Sequence, residues 1–328
     1  MAHGAGRRLE TLVVAVPLRE RHLARLREEF PDLRLIVIDE AGPADVAEAD
    51  GLVAWRIDAA LLAAAARLGW LQAGGAGVEW LPARELATRG VTVTNASGVG
   101  AINIAEHALA MMLAFARGIP ALVRAQDARR WRDGEEDERR GRLFELHGQT
   151  LLLVGIGDIG LAVAERARGF GMRVLGTRRR ADAATPPGVD EVVPLDRLAE
   201  GLGRADHVVV SVPLTGATAG LIGAAELAAM KRGAFLYNVG RGGTIDGPAL
   251  TEALAAGHLG GAGLDVTDPE PLPEDSPLWG MANVLITAHT SGATPNYWDR
   301  GGELVLENVR RYRAGERLLN EVDLGEGY

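Results

Sequence analysis

Three short segments in the second half of the chain set polar side chains among apolar residues and glycines. Asn238-Val239-Gly240-Arg241-Gly242-Gly243 carries an arginine. The stretch Leu264 to Pro273 carries Asp265 and Glu270, and Ile286-Thr287-Ala288-His289-Thr290-Ser291-Gly292 carries a histidine. Arg241 keeps its charge at any working pH, and its planar fork matches the adjacent oxygens of a 2-oxo acid. The His289 imidazolium can give a proton to a carbonyl oxygen that is gaining negative charge. A carboxylate at Glu270 would favour that imidazolium and orient its ring. Each segment follows an apolar run, and open α/β sheets bind ligands beyond the carboxyl ends of their strands. These residues suit the reduction of a ketone by a hydride, and the hydride needs a source.

The source is legible in residues 151–160, Leu-Leu-Leu-Val-Gly-Ile-Gly-Asp-Ile-Gly. Gly155, Gly157 and Gly160 follow a buried strand in G-x-G-x-x-G spacing and open a helix. That is the context in which the motif binds a dinucleotide. The helix start, with Asp158 and Ile159, turns free N–H groups and a positive dipole end toward the pyrophosphate. An NAD site places an acid at the end of the second strand. Here that end reads Gly176-Thr177-Arg178-Arg179-Arg180, and the first acid beyond it is Asp182. Arginine binds a 2′-phosphate where a carboxylate would repel it. The cofactor expected is therefore NADPH (NADP+), with NADH as a weaker substitute and Thr177, Arg178 and Arg179 on the ribose side. Which arginine meets the phosphate stays open.

The elements that must position these groups form two sets. Apolar runs at 12–16, 33–38, 51–54, 70–73 and 91–94 alternate with helical stretches in the first hundred residues. A helix from Ile104 to Arg117 follows, with a break at Pro120 and a charged arm over 124–142 that contains Trp131. From Gln149, seven strands are expected at 151–154, 173–176, 191–194, 207–213, 234–239, 263–266 and 284–287. A last helix at 297–312 has no strand to follow, so it is expected to return to the first domain. The fold class is α/β, with two doubly wound parallel-sheet domains.

In this order the segments resemble the D-isomer-specific 2-hydroxyacid dehydrogenases over nearly the whole chain. The resemblance implies a flavodoxin-like substrate domain, residues 1–102 and 296–328, into which a Rossmann domain of residues 103–295 is inserted. It implies Arg241, Glu270 and His289 as the catalytic set, although Ala288 stands where the family often has proline. It implies that Ala76 and Gly77, in Gly74-Gly75-Ala76-Gly77-Val78-Glu79, offer N–H groups to the substrate carboxylate. It further implies that Asp265 meets the nicotinamide carboxamide, and that Pro213 and Thr218 line the cofactor site. His107, on the helix bordering the nicotinamide, is read as structural or interfacial. The implied activity is reduction of glyoxylate, hydroxypyruvate or a wider range of 2-oxo acids to D-2-hydroxy acids by a homodimer. A dinucleotide-sensing corepressor and a formate or phosphonate dehydrogenase are alternatives on the same fold. The lack of long charged recruitment tails favours the enzyme.

Bulk properties agree with this expectation. The 328 residues are 47% hydrophobic and 24% charged, as in soluble globular proteins, and the net charge of −9 argues against nucleic-acid partners. No cysteine is present, which excludes thiol nucleophiles and cysteine-held metals and fits a cytoplasmic location. No metal site and no membrane partner are expected, because no apolar run reaches the length of a membrane span.

Overall fold

The computed structural model describes residues 8–131, 143–179 and 184–326. Most of the charged arm (132–142), Arg180 and Asp182 lie outside the described residues. The chain divides into two compact units, residues 1–100 with 294–328, and residues 101–293.

In the first unit, β1 (Thr11–Ala15), β2 (Arg34–Val37), β3 (Gly51–Ala54), β4 (Trp70–Ala73) and β5 (Thr92–Thr94) form one sheet. Its order is β2-β1-β3-β4-β5 and all its pairings are parallel. That is the flavodoxin-like order. Val13, Leu52, Leu71 and Val93 feed one core cluster, and Leu12, Val14, Val53 and Trp70 feed another. The alternation along each strand puts an apolar face on both sides of the sheet. The helix Tyr297–Ala314 joins the second cluster through Val305, Leu306 and Val309.

In the second unit, β6 (Thr150–Val154), β7 (Arg173–Arg178), β8 (Glu191–Pro194), β9 (His207–Val210), β10 (Phe235–Asn238), β11 (Gly261–Leu264) and β12 (Val284–Ile286) form a seven-stranded parallel sheet. The order is β8-β7-β6-β9-β10-β11-β12. Chain direction across the sheet reverses between β6 and β9, the switch point where doubly wound folds bind nucleotides. Leu152 and Val154 point into one core, and Leu151 and Leu153 into the other.

Three aspartates repeat one device at the amino ends of strands. Asp50, Asp190 and Asp206 immediately precede β3, β8 and β9. Each donates its N–H to a neighbouring strand residue (Thr11, Val174 and Thr150 respectively) and takes back that residue's N–H on its carboxylate at 2.8–2.9 Å. The other carboxylate oxygen takes a cation, Arg67, Arg168 or Lys231.

Several element limits shift by one to three residues from the sequence expectation, β9 for example ending at Val210 rather than Pro213, and two of the shifts have a local cause. β11 begins at Gly261 rather than Gly263. Glycine weakens a strand, but here crowding demands it, since a Cβ on Gly261 would lie 2.7 Å from Asn283 O. The helix begun at Ala101 ends at Ala116, and Gly118, with φ 64°, makes the break. Pro120 instead sits in the first turn of the next helix, Ile119–Asp127, where its missing N–H costs nothing. Among the described residues no single helix is long and apolar enough to cross a membrane.

Candidate active site

The glycine segment forms a cradle at the switch point. Gly155 leaves β6 with φ 99°, a left-handed conformation that favours glycine. A Cβ on Gly160 would lie 2.2 Å from Gly155 O, so only glycine lets the helix Asp158–Gly169 start this close to the strand. Gly157 caps that helix in extended conformation, and a Cβ there would meet nothing within 4 Å. Backbone N–H groups at an open helix start, next to a Gly-only turn, fit a pyrophosphate.

Across the switch point, the segment after β9 closes on itself. Thr218 Oγ1 donates to Pro213 O at 2.6 Å and accepts from Thr215 N–H at 2.8 Å. Thr218 therefore holds the Pro213–Thr218 turn in shape. At the end of β7, Thr177 is buried, Arg178 is half-buried and Arg179 is exposed. Arg178 Nη2 donates to Ala184 O at 2.9 Å, so part of its fork is committed to the protein. No acid lies between Gly176 and Arg179.

The catalytic candidates occupy the carboxyl ends of three adjacent strands, β10, β11 and β12. Arg241 lies just past β10, in a turn that the buried Asn238 shapes. Asn238 donates to Arg241 O at 2.9 Å and accepts from Gly240 N–H at 3.1 Å. A Cβ on Gly242 would lie 1.9 Å from Thr267 O, so this turn is pressed against the segment after β11. Glu270 follows in that segment, and its Oε1 lies 2.8 Å from His289 Nδ1. Both side chains are about half exposed, at 40% and 45%. His289 adopts φ 53°, uncommon for a residue other than glycine, and its N–H donates to Asp265 O at 2.8 Å.

Asp265 has a task of its own in the turn that carries His289. Its side chain is wholly buried. Oδ1 accepts from Thr287 Oγ1 at 2.6 Å and from Thr290 N–H at 2.9 Å, and both oxygens accept from Ser291 N–H at 3.2 Å. The carboxylate is thus occupied with fixing the turn that carries His289.

In the first unit the 74–79 loop follows β4. Each carbonyl from Gly74 to Gly77 accepts a hydrogen bond, from Tyr297 Oη, Ala96 N–H, Asn95 Nδ2 and Trp80 Nε1 in turn. Among the described residues no group accepts from the N–H of Ala76 or Gly77. A loop with its carbonyls engaged and its amides unspent suits an anion. Trp55 lies against Gly74 and stacks with Tyr297 at 6.0 Å between ring centroids. Burial pushes the Tyr297 phenol up to about 12, so it keeps the proton it donates to Gly74 O. Tyr297, Asn95 and Thr287 carry no motif of their own. Their roles come from chain segments that meet only in the fold.

Comparison with known proteins agrees with this geometry. The family model for the NAD binding domain of D-isomer specific 2-hydroxyacid dehydrogenases matches residues 109–291. The glyoxylate reductase of Korarchaeum cryptofilum is 37% identical over 315 residues, covering 93% of this chain and 93% of that one. The D-3-phosphoglycerate dehydrogenase of Mycobacterium tuberculosis is 38% identical over 288 residues, or 87% of this chain, but the match spans only 53% of that protein's length. A solved D-isomer specific 2-hydroxyacid dehydrogenase from Xanthobacter autotrophicus, in complex with NADPH and MES, is similar with a TM-score of 0.80 and 31% identity, covering 98% of this chain and 100% of that one. The fold and these likenesses define an NAD(P)-dependent oxidoreductase. The chain belongs to the D-isomer-specific 2-hydroxyacid dehydrogenases.

Proposed function

We propose that the protein reduces a 2-oxo acid, glyoxylate or hydroxypyruvate foremost, to the D-2-hydroxy acid with NADPH. The observation that carries this reading is the 2.8 Å pair of His289 and Glu270 at the strand ends next to Arg241. When bound, NADPH supplies the hydride. Gly155, Gly157, Asp158, Ile159 and Gly160 would hold its pyrophosphate. Pro213 would border the adenine, and Thr177, Arg178 and Arg179 the ribose with its 2′-phosphate. Ala76 and Gly77 would give N–H groups to the substrate carboxylate, and the Arg241 fork would polarise the oxo group. His289 would keep Nδ1–H on Glu270 and pass the Nε2 proton to the forming alkoxide. Glu270 would hold the ring's orientation and offset its charge.

The arginines at the end of β7 support NADPH, as does the NADPH complex of the Xanthobacter relative. The names of the glyoxylate reductase and phosphoglycerate dehydrogenase relatives set the substrate panel. Oxidation of NADPH and of NADH should be followed with glyoxylate, hydroxypyruvate, pyruvate and 3-phosphohydroxypyruvate. Turnover of the first two with NADPH is expected. Reduction of NADP+ by formate or phosphonate, without turnover of any 2-oxo acid, would move the reading to the dehydrogenase alternative. Binding of cofactor with no turnover at all would favour the regulatory one.

A further inference from the structure

The helix Ala101–Ala116 puts two polar residues, one turn apart, against the turn that carries His289. Asn103 Nδ2 donates to Ser291 O at 2.6 Å, and His107 Nε2 lies 2.9 Å from Thr287 Oγ1. The helix lies close over β11, since a Cβ on Gly263 would meet Met111 Sδ at 2.7 Å. Thr287 has one hydroxyl hydrogen. At 2.6 Å from the buried Asp265 carboxylate, that hydrogen goes to Asp265. The His107 contact is therefore an Nε2–H donated to the remaining lone pair of Thr287. A directed chain results, from His107 through Thr287 to Asp265, which in turn binds the amides of Thr290 and Ser291.

We propose that His107 is a positioning residue for the proton donor. Acting through Thr287 and Asp265, it clamps the 287–291 turn in the left-handed backbone that presents His289 to Glu270. The proposal rests on the reading of His289 as the donor. The His107 ring reaches Thr287, two residues before the His289 that meets Glu270, at 2.9 Å and comes within 3.7 Å of Asp265, so His107 acts on chemistry without touching the reacting atoms.

The test compares His107→Phe, His107→Gln and Thr287→Val, each in the wild-type and His289→Ala backgrounds, with glyoxylate and NADPH as probes. His107→Phe and Thr287→Val should each lower kcat about tenfold, equivalent to about 1.4 kcal/mol, with the KM for NADPH unchanged. His107→Gln can place an amide N–H near the position of Nε2, and should stay within about twofold of wild type. In the His289→Ala background neither His107→Phe nor Thr287→Val should cost anything further. Hydrogen exchange at the amides of Thr290 and Ser291 should accelerate with Phe and Val, and not with Gln. Equal losses with and without His289, or exchange rates that do not move, would overturn the clamp. Full turnover in His289→Ala alone would refute the proton-donor reading, and the exchange rates would still judge the clamp.

Discussion

Acid should loosen the nucleotide-binding unit through one histidine in its core. His207 on β9 is wholly buried, stacked on Phe235 and Tyr237. Its Nε2 lies 2.6 Å from Gln149 Oε1, an acceptor, so Nε2 carries the hydrogen. Nδ1 then accepts from Tyr237 Oη at 3.1 Å. This neutral tautomer satisfies both ring nitrogens. A second proton would put a charge in an apolar core and force the Tyr237 hydroxyl to turn from donor to acceptor. Burial accordingly draws the His207 pKa down from 6.5 to about 4, with Asp206 opposing. Between these values the unfolded chain binds the proton and the folded chain does not, so folded stability falls as pH falls through that window. The full contribution is present above pH 6.5, about 2 kcal/mol is lost by pH 5, and about 3 kcal/mol by pH 4. Denaturant unfolding at stepped pH should show this slope in the wild type. His207→Phe should start lower at pH 7, because Gln149 and Tyr237 lose a partner, but its stability should fall less steeply. Curves for the two proteins that run parallel from pH 7 to pH 5 would refute the reasoning.

Four further outcomes are expected. His289→Ala should lower reductive turnover about 100- to 10,000-fold while leaving NADPH affinity nearly intact, as steady-state kinetics and cofactor titration will show. Arg241→Lys should reduce kcat/KM for 2-oxo acids strongly, because one ammonium cannot replace the fork; a change confined to the KM of the cofactor would refute the substrate role. Neutralising Arg178 and Arg179 together should raise the KM for NADPH about 10- to 1,000-fold and barely change that for NADH. Part of the Arg178 fork is already bound to Ala184 O, so the lower end of that range is expected of Arg178 alone. Light scattering at micromolar concentration should find a homodimer, and a monomer at all concentrations would exclude one.

The fold was legible because parallel strands buried on both faces leave continuous apolar runs, such as Leu151–Val154 and His207–Val210. Boundaries failed where glycine served packing rather than a turn, as at Gly261, or where proline opened a helix, as at Pro120. The Glu270–His289 pairing was legible as two polar residues beyond neighbouring strands. The task of Asp265 was not, because it depends on Thr287, Thr290 and Ser291, which reach its carboxylate only in the folded sheet. Likewise Thr218 carries no sign in sequence that its hydroxyl is spent on Pro213.

The threefold aspartate device has a practical consequence. All strands within each unit run the same way, so Asp190 and Asp206 mark the end of their sheet opposite to Arg241, Glu270 and His289, and Asp50 marks the end of its own sheet opposite to the 74–79 loop. Each unit therefore has a working end and a maintenance end. Surface tethers, affinity tags and thermostabilising charges can be engineered near Arg168 and Lys231 at the end of the sheet away from Arg241, Glu270 and His289. Conversely, a library that randomises those aspartates would sample folding yield rather than specificity, and screening effort belongs at the other end of the strands.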